Sequence, residues 1–137
     1  PQPRVNRGRE VSIGGRQDPA FGPVIVFGLG GIFVEALKDV VWRVAPINRE
    51  GARQMMRDIR GHKILDGLRG EPACDSAFIE TLLVRLSRML VDFPVIKEID
   101  VNPVMVFPEG QGASAIDARV IINNNDNKAL ALPFHMG

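Results

Sequence analysis

The 137-residue chain has one cysteine, two histidines, no long apolar run and no block of a single charge sign. Each scarcity closes off a class of function. Cys74 has no partner in the chain, so an internal disulfide is excluded and a reduced, cytoplasmic setting is the simpler expectation. No motif ties Cys74 to His62 or His135, which makes it a poor nucleophile, and neither histidine has a second ligand at zinc spacing. No apolar stretch approaches the ~20 residues of a membrane span, and no signal peptide opens the chain. Lys plus Arg number 17 against 16 Asp plus Glu. The one modest basic concentration, Arg4, Arg7, Arg9 and Arg16, reads as a solvated entry segment, so neither nucleic acid nor a membrane is an expected partner. An initiator methionine is also missing. The chain starts Pro1-Gln2-Pro3, and neither end carries a helix or strand signal, so the expectation is an excised piece of a longer protein.

What is present is the composition of a globular domain, 45% hydrophobic and 24% charged, with residues enough for one real core. Arg9–Gly15 alternates weakly, as a short strand does, and Asp18-Pro19 and Gly22-Pro23 mark a turn. Pro23-Val24-Ile25-Val26-Phe27-Gly28 is a continuous β-branched and aromatic run, the mark of a strand buried on both faces. Ile32–Val34 and Val40–Val44 read as further extended segments, stopped by Pro46. Asn48 is placed to cap a helix with Ala52, Met55, Met56 and Ile59 on one side, ended by Gly61. The stretch from His62 to Pro72 reads as loop with at most a short helical turn. A longer helix from Asp75 or Ser76 carries Ile79, Leu82, Leu83, Leu86 and Leu90 on one side, Arg85 and Arg88 on the other, and stops before Pro94. Asn123–Asn127 reads as a polar turn before a last short run to Pro133. With no repeat and no second core, the expectation is one α+β domain over 1–137, a largely antiparallel sheet with two main helices packed on it.

Two stretches carry chemistry. In Glu98-Ile99-Asp100-Val101-Asn102-Pro103, alternation puts Glu98, Asp100 and Asn102 on one face and Ile99, Val101, Met105 and Phe107 on the other. After the turn Pro108–Gly112, Ile116, Ala118, Val120 and Ile122 are the apolar set, with Asp117 and Arg119 between them. Only registers pairing residues of odd summed number bring both apolar faces to one core, and a turn centred on Glu109-Gly110 sets Asn102 opposite Asp117 and Asp100 opposite Arg119. Such oxygens suit Mg²⁺, which takes few protein ligands and completes its shell from phosphates and water. The same pattern fits a hairpin with a solvated face and an ordinary surface ion pair, and alternation alone favours that plainer reading. Gly28-Leu29-Gly30-Gly31-Ile32-Phe33-Val34-Glu35 follows the buried strand and lets backbone amides approach a phosphate. It is neither a dinucleotide fingerprint, having Phe33 where the third glycine belongs, nor a P-loop, lacking Gly-Lys-Ser/Thr. A tight turn explains it as well as a ligand contact does. Lys38 and Asp39 read as turn residues.

Taken together and in order, Arg9–Gly14, Gln17–Pro23, Phe27–Glu35, Glu98–Pro103 and Ile116–Arg119 resemble the carboxy-terminal subdomain of the ATP-grasp module in NDP-forming acyl-CoA synthetases. That superfamily includes ADP-forming acetyl-CoA synthetase and succinyl-CoA synthetase. The resemblance covers nearly the whole chain and raises the metal reading above the plainer one. It implies a reversible reaction in which acyl-CoA, phosphate and a nucleoside diphosphate give free acid, CoA and a nucleoside triphosphate, through an acyl phosphate and a phosphohistidine carried on another domain or subunit. It implies Mg²⁺ and ATP/ADP or GTP/GDP as cofactors, with Asn102 and Asp117 as metal ligands and Asp100 a nearby carboxylate at the nucleotide. Arg119, from its predicted face and not from the resemblance, would balance charge near the phosphates, and the resemblance implies that Gly30, Gly31 and Glu35 line the approach of the phosphohistidine. The first ATP-grasp subdomain, with the adenine contacts and a phosphate-binding lysine, has no counterpart here, nor has the phosphohistidine. An isolated chain is therefore expected to be inactive, as part of a larger and oligomeric enzyme. The alternative is a regulatory, synthetase-like module of a GNAT-type lysine acetyltransferase. The end Asn127–Phe134 is similar to the segment leading out of the module in some such fusions.

Overall fold

The structure, a computed structural model, describes residues 8–30, 39–67, 70–122 and 129–131. Strands β1 (Arg9–Asp18), β2 (Gly22–Leu29) and β3 (Val40–Val44) come first, then helix α1 (Arg49–Asp58), a 3-10 turn His62–Asp66 and helix α2 (Ser76–Asp92). Strands β4 (Ile96–Val106), β5 (Ala113–Ala115), β6 (Ala118–Ile122) and β7 (Ala129–Ala131) complete the order. All seven strands share one sheet, ordered β3-β2-β1-β4-β6-β7, with β5 also on β4. Every pairing is antiparallel. The expected architecture is thus present. The expected strand at Ile32–Val34 and the Asn123–Asn127 turn lie outside the described residues.

β1 is longer than alternation suggests. It runs through Gly14-Gly15 to Asp18, because those glycines serve close packing and not a turn. A side chain at Gly15 would collide with Leu90 of α2 and stand 2.7 Å from the Val24 carbonyl, and one at Gly14 would stand 2.7 Å from the Ile99 carbonyl. The turn comes after Asp18, whose carboxylate accepts from the Ala20 and Phe21 amides at 2.9 and 3.0 Å. Those two backbone bonds hold its pKa below the usual value.

Both helices pack on one face of the sheet. Ala52, Met55, Met56 and Ile59 from α1 and its end, and Ile79, Leu83, Leu86 and Leu90 from α2, form one buried cluster with Ile13, Ile25, Phe27, Ile99 and Val101. Asn48 caps α1 as its sequence context requires, accepting from the Gly51 amide at 2.8 Å. Beyond α1, the Asp39 carboxylate takes the Arg60 and Gly61 amides at 2.6 and 2.7 Å, closing the turn. Two polar residues of α2 point into this layer. Glu80 is buried and receives Arg49 (2.9 Å) and Arg53 (3.2 Å), and Ser87 accepts from the Ile47 amide at 3.1 Å.

β4 departs from simple alternation. Ile99 and Val101 are buried, but beyond Pro103 the buried residues are Val104 and Val106, not Met105 and Phe107. The register on β1 shifts at the same level, between Val11/Val104 and Ile13/Val101. Two β4 residues, Asn102 and Pro103, thus oppose the single Ser12, which is a β-bulge that reverses the faces of the strand. The partner chain reverses with it: Ala113 and Ala115 are buried before the break, Ala118 after it, and Ile116, expected in the core, is 62% exposed.

Candidate functional site

The double reversal is where the candidate metal ligands sit. The pairing relation inferred from the turn holds on both sides of it, since Val104 opposes Ala115 in β5 while Val101 opposes Ala118 and Asp100 opposes Arg119 in β6. Across the break the Asn102 amide donates to the Asp117 carbonyl at 3.0 Å and the Ile116 amide to the Pro103 carbonyl at 2.9 Å. Asn102 and Asp117 are therefore directly opposed, and both are exposed. A bulge that re-aims side chains beside a site is a recurring device.

Asp100 is half-buried next to this pair. Burial pushes its carboxyl above the ordinary value, Glu98 pushes it further, Arg119 pulls it back and Asp117 adds a smaller upward push. Among the described residues no ion pair joins Asp100 to Arg119. The plain surface pair offered by alternation is thus not what the sheet builds. It builds instead a patch where Glu98 and Asp117 both act on the half-buried Asp100 carboxyl and Arg119 partly offsets them. No group of three or more His, Cys, Asp or Glu among the described residues is arranged to hold a metal alone. The donors are an amide and carboxylate oxygens, which fits a hard cation holding few protein ligands and unsuited to zinc.

The register carries this patch across the sheet. Arg119, Asp100, Gly14, Val26 and Trp42 are successive partners on five adjacent strands, hence on one face, the one opposite the helices. Gly14 leaves that face without a side chain beside Asp100. The result is a cleft of about 230 Å³ lined by Ser12, Gly14, Arg16, Val26, Glu98 and Asp100. Ser12 and Arg16 escaped the sequence reading as site residues, although Ser12 lies in a motif that carried the resemblance. Nothing local in the sequence places β1 against β4. Farther along the same face Trp42 is 49% exposed and meets Phe21 with ring centroids 5.3 Å apart, the rings tilted by 46°.

Gly30 lies toward the other end of β1. Its amide donates to the Glu10 carbonyl at 2.7 Å, and a side chain there would meet Glu10 at 3.0 Å. It borders a second hollow of about 290 Å³ with Arg9, Glu10, Leu29 and Ile64. Glu10 is two residues along β1 from Ser12 at the bulge, roughly 7 Å, and Gly30 lies on the β2 side of β1 while Asn102 and Asp117 lie beyond its β4 side, so the sheet does not bring Gly30 to that pair. Gly31 and Glu35 lie outside the described residues, as does His135. The His62 ring nitrogen Nδ1 is 3.2 Å from the Ile59 carbonyl, a satisfied loop histidine. Cys74 is buried and its thiol pKa is pushed up by that burial, which makes it inert.

Residues 2–122 match the family model of the ATP-grasp domain. The beta subunit of the ADP-forming acetate–CoA ligase II of Pyrococcus furiosus is 48% identical over 121 residues, which are 88% of this chain and 51% of that subunit. The ADP-forming 4-hydroxybutyrate–CoA ligase of Nitrosopumilus maritimus is 43% identical over 116 residues, 85% of this chain and 17% of that protein. Among solved structures, the dinucleotide-forming acetyl-coenzyme A synthetase 1 of Ca. Korarchaeum cryptofilum matches with a TM-score of 0.79 and 41% identity, covering 85% of this chain and 54% of that one. That protein was captured with coenzyme A and Mg-AMPPCP, its phosphohistidine segment pointing towards the nucleotide binding site. The chain spans about half the length of the Pyrococcus subunit and the Korarchaeum chain.

Proposed function

The chain belongs to the ATP-grasp domain family, and we propose that it supplies one wall of the Mg-nucleotide site of an NDP-forming acyl-CoA synthetase, as part of a larger ATP-grasp module. The whole enzyme converts acyl-CoA, phosphate and a nucleoside diphosphate to acid, CoA and a nucleoside triphosphate, and the reverse. The observation that carries this reading is the opposition of Asn102 and Asp117 at the bulge, beside a carboxylate, Asp100, crowded by Glu98 and Asp117. Relatives named as acid–CoA ligases support it, and they lend no support to the acetyltransferase-fusion alternative.

The residues divide the work. Asn102 and Asp117 present the oxygens that would hold Mg²⁺, and Asp100 sits behind them as an acceptor for water or metal. When bound, that ion neutralises charge on the phosphate oxygens, which is most of what a phosphoryl-transfer site must do. Arg119 and Arg16 border the same patch from β6 and β1 and offset the negative charge of the phosphate tail, while Gly14 gives the tail a floor free of side chains. Gly30, with Gly31 and Glu35, would flank the path of a phosphohistidine carried on a CoA-binding domain or partner subunit. No nucleophile from this chain is needed. The acid acted upon is recognised elsewhere: relatives sharing this segment are named for acetate and for 4-hydroxybutyrate. The setting is cytoplasmic, where CoA and nucleotides are available, and the assembled enzyme is an oligomer.

Asp117→Ala in the full-length protein tests this. NTP formation should fall at least about 10²-fold, the order seen when a group stabilising transition-state charge is removed. Calorimetric binding of Mg-nucleotide should be lost while metal-free thermal unfolding stays unchanged. Wild-type turnover in that variant would sink the assignment.

A further inference from the structure

We propose that Asp75 is a positioning residue that pins the register of the hairpin carrying Asn102 and Asp117. The proposal rests on the functional reading above for its consequence, but not for its geometry. Asp75 is buried, and both its carboxylate oxygens are used. One accepts the Phe78 amide at 3.2 Å, capping α2. The other accepts the buried Gly112 amide at 2.8 Å, in the turn between β4 and β5. The Asp75 amide in turn donates to the Phe107 carbonyl at 2.9 Å, on the opposite limb of that turn. Phe107 and Gly112 are themselves joined, amide to carbonyl, at 2.9 Å. One residue therefore grips both limbs of the hairpin at its closed end.

The grip is reinforced. The Glu109 amide donates to the Ala73 carbonyl at 3.0 Å and Cys74 bridges to Pro108. The Cys74 amide ties the segment before α2 to the Leu65 carbonyl at 2.9 Å, and Glu71 pairs with Arg9 of β1. Asn102 lies five residues before Phe107 and Asp117 five after Gly112, so the ligand pair belongs to the ladder that this grip starts. The intervening strand β5 makes only three pairings with β4 before the break at Ile116-Asp117. The buried residues of β5 are only the small Ala113 and Ala115, so hydrophobic matching defends the register less at this end than along the longer β4–β6 ladder, and slipping one residue would set Asp117 against Val101 or Pro103 and turn its side chain to the other face. An acceptor fixed to the end of α2 removes that freedom.

Asp75→Ser and Asp75→Asn, made in the full-length protein, separate the two roles of the carboxylate. Both residues cap helices well. Serine is too short to serve Gly112 as well, and asparagine would turn an N–H₂ toward a Gly112 N–H. We expect the α2 amides to keep their hydrogen-exchange protection in both variants. The Gly112, Asn102 and Ile116 amides should exchange at least tenfold faster, and the Mg²⁺ concentration giving half-maximal activity should rise about tenfold, with kcat at saturating Mg²⁺ changed far less. Unchanged exchange at Asn102 and Ile116 would overturn the pin, and faster exchange with an unchanged Mg²⁺ requirement would overturn its role at the site. A wild-type protein that binds no Mg-nucleotide would defeat the functional reading instead, leaving the pin to be judged by exchange alone.

Discussion

The two faces of the sheet are built on opposite terms. The helix-covered face is apolar and closed: Ile13, Ile25, Phe27, Leu83 and Leu90 are at most 1% exposed, and among the described residues no buried side-chain nitrogen or oxygen lacks a partner. Where a charge enters that layer it is met at once, as Glu80 is by Arg49 and Arg53. The open face leaves Asp100 without an ion pair among the described residues, crowds it with acids, and keeps Trp42, Val40 and Val44 about half exposed. With the proposed site on the open face, stability is concentrated on one side and nucleotide binding is assigned to the other, so substitutions on the two faces should separate in what they damage.

Phe27→Ala should show the largest stability effect, a loss of about 3–5 kcal/mol from the cavity left at the centre of the covered face, read as a shift in the urea midpoint. Glu80→Ala follows at about 2–3 kcal/mol, since it removes two charge-assisted hydrogen bonds at a mostly buried carboxylate. Neither should alter the Mg²⁺ requirement of the protein that remains folded, and a changed requirement would break the separation of faces. Trp42→Ala on the open face removes one aromatic contact with Phe21 and should cost only about 1 kcal/mol. A loss as large as that of Phe27→Ala would mean that the open face is part of the core.

The covered face was legible because hydrophobic periodicity reports it directly. Ala52, Met55, Met56 and Ile59, and Ile79, Leu83, Leu86 and Leu90, all face inward as their spacing requires. The opposition of Asn102 and Asp117 was legible for a different reason, since a short turn leaves few registers and hydrophobic matching selects among them. Alternation is blind to an inserted residue, so the reversal at Asn102-Pro103 was not readable, and Met105, Phe107 and Ile116 were assigned to the wrong face. Ser12, Gly14 and Arg16 were hidden as cleft residues because their neighbours Glu98 and Asp100 are some eighty residues away, joined only by the β1–β4 pairing. Asp75 read only as the start of a helix, because its second partner, Gly112, comes from a turn the sequence does not connect to it.

The smallest effect tests the open face most directly. In the folded protein, burial, Glu98 and Asp117 hold the Asp100 carboxyl above its ordinary 3.8, against the pull of Arg119. The folded state therefore keeps that proton more tightly than the unfolded chain does, so metal-free stability should fall as pH rises from near 3.8 through the raised value and level off beyond it. Asp100→Asn cannot ionise and should lose this component. In EDTA the difference in urea midpoint, variant minus wild type, should grow in favour of the variant across that window and then hold steady to pH 7. Added Mg²⁺ should narrow the difference, because the ion relieves in the wild type a repulsion that the variant lacks. If the two curves ran parallel from pH 4 to 7, Asp100 would not be crowded by its neighbours, and the case for a cation at Asn102 and Asp117 would lose its electrostatic support.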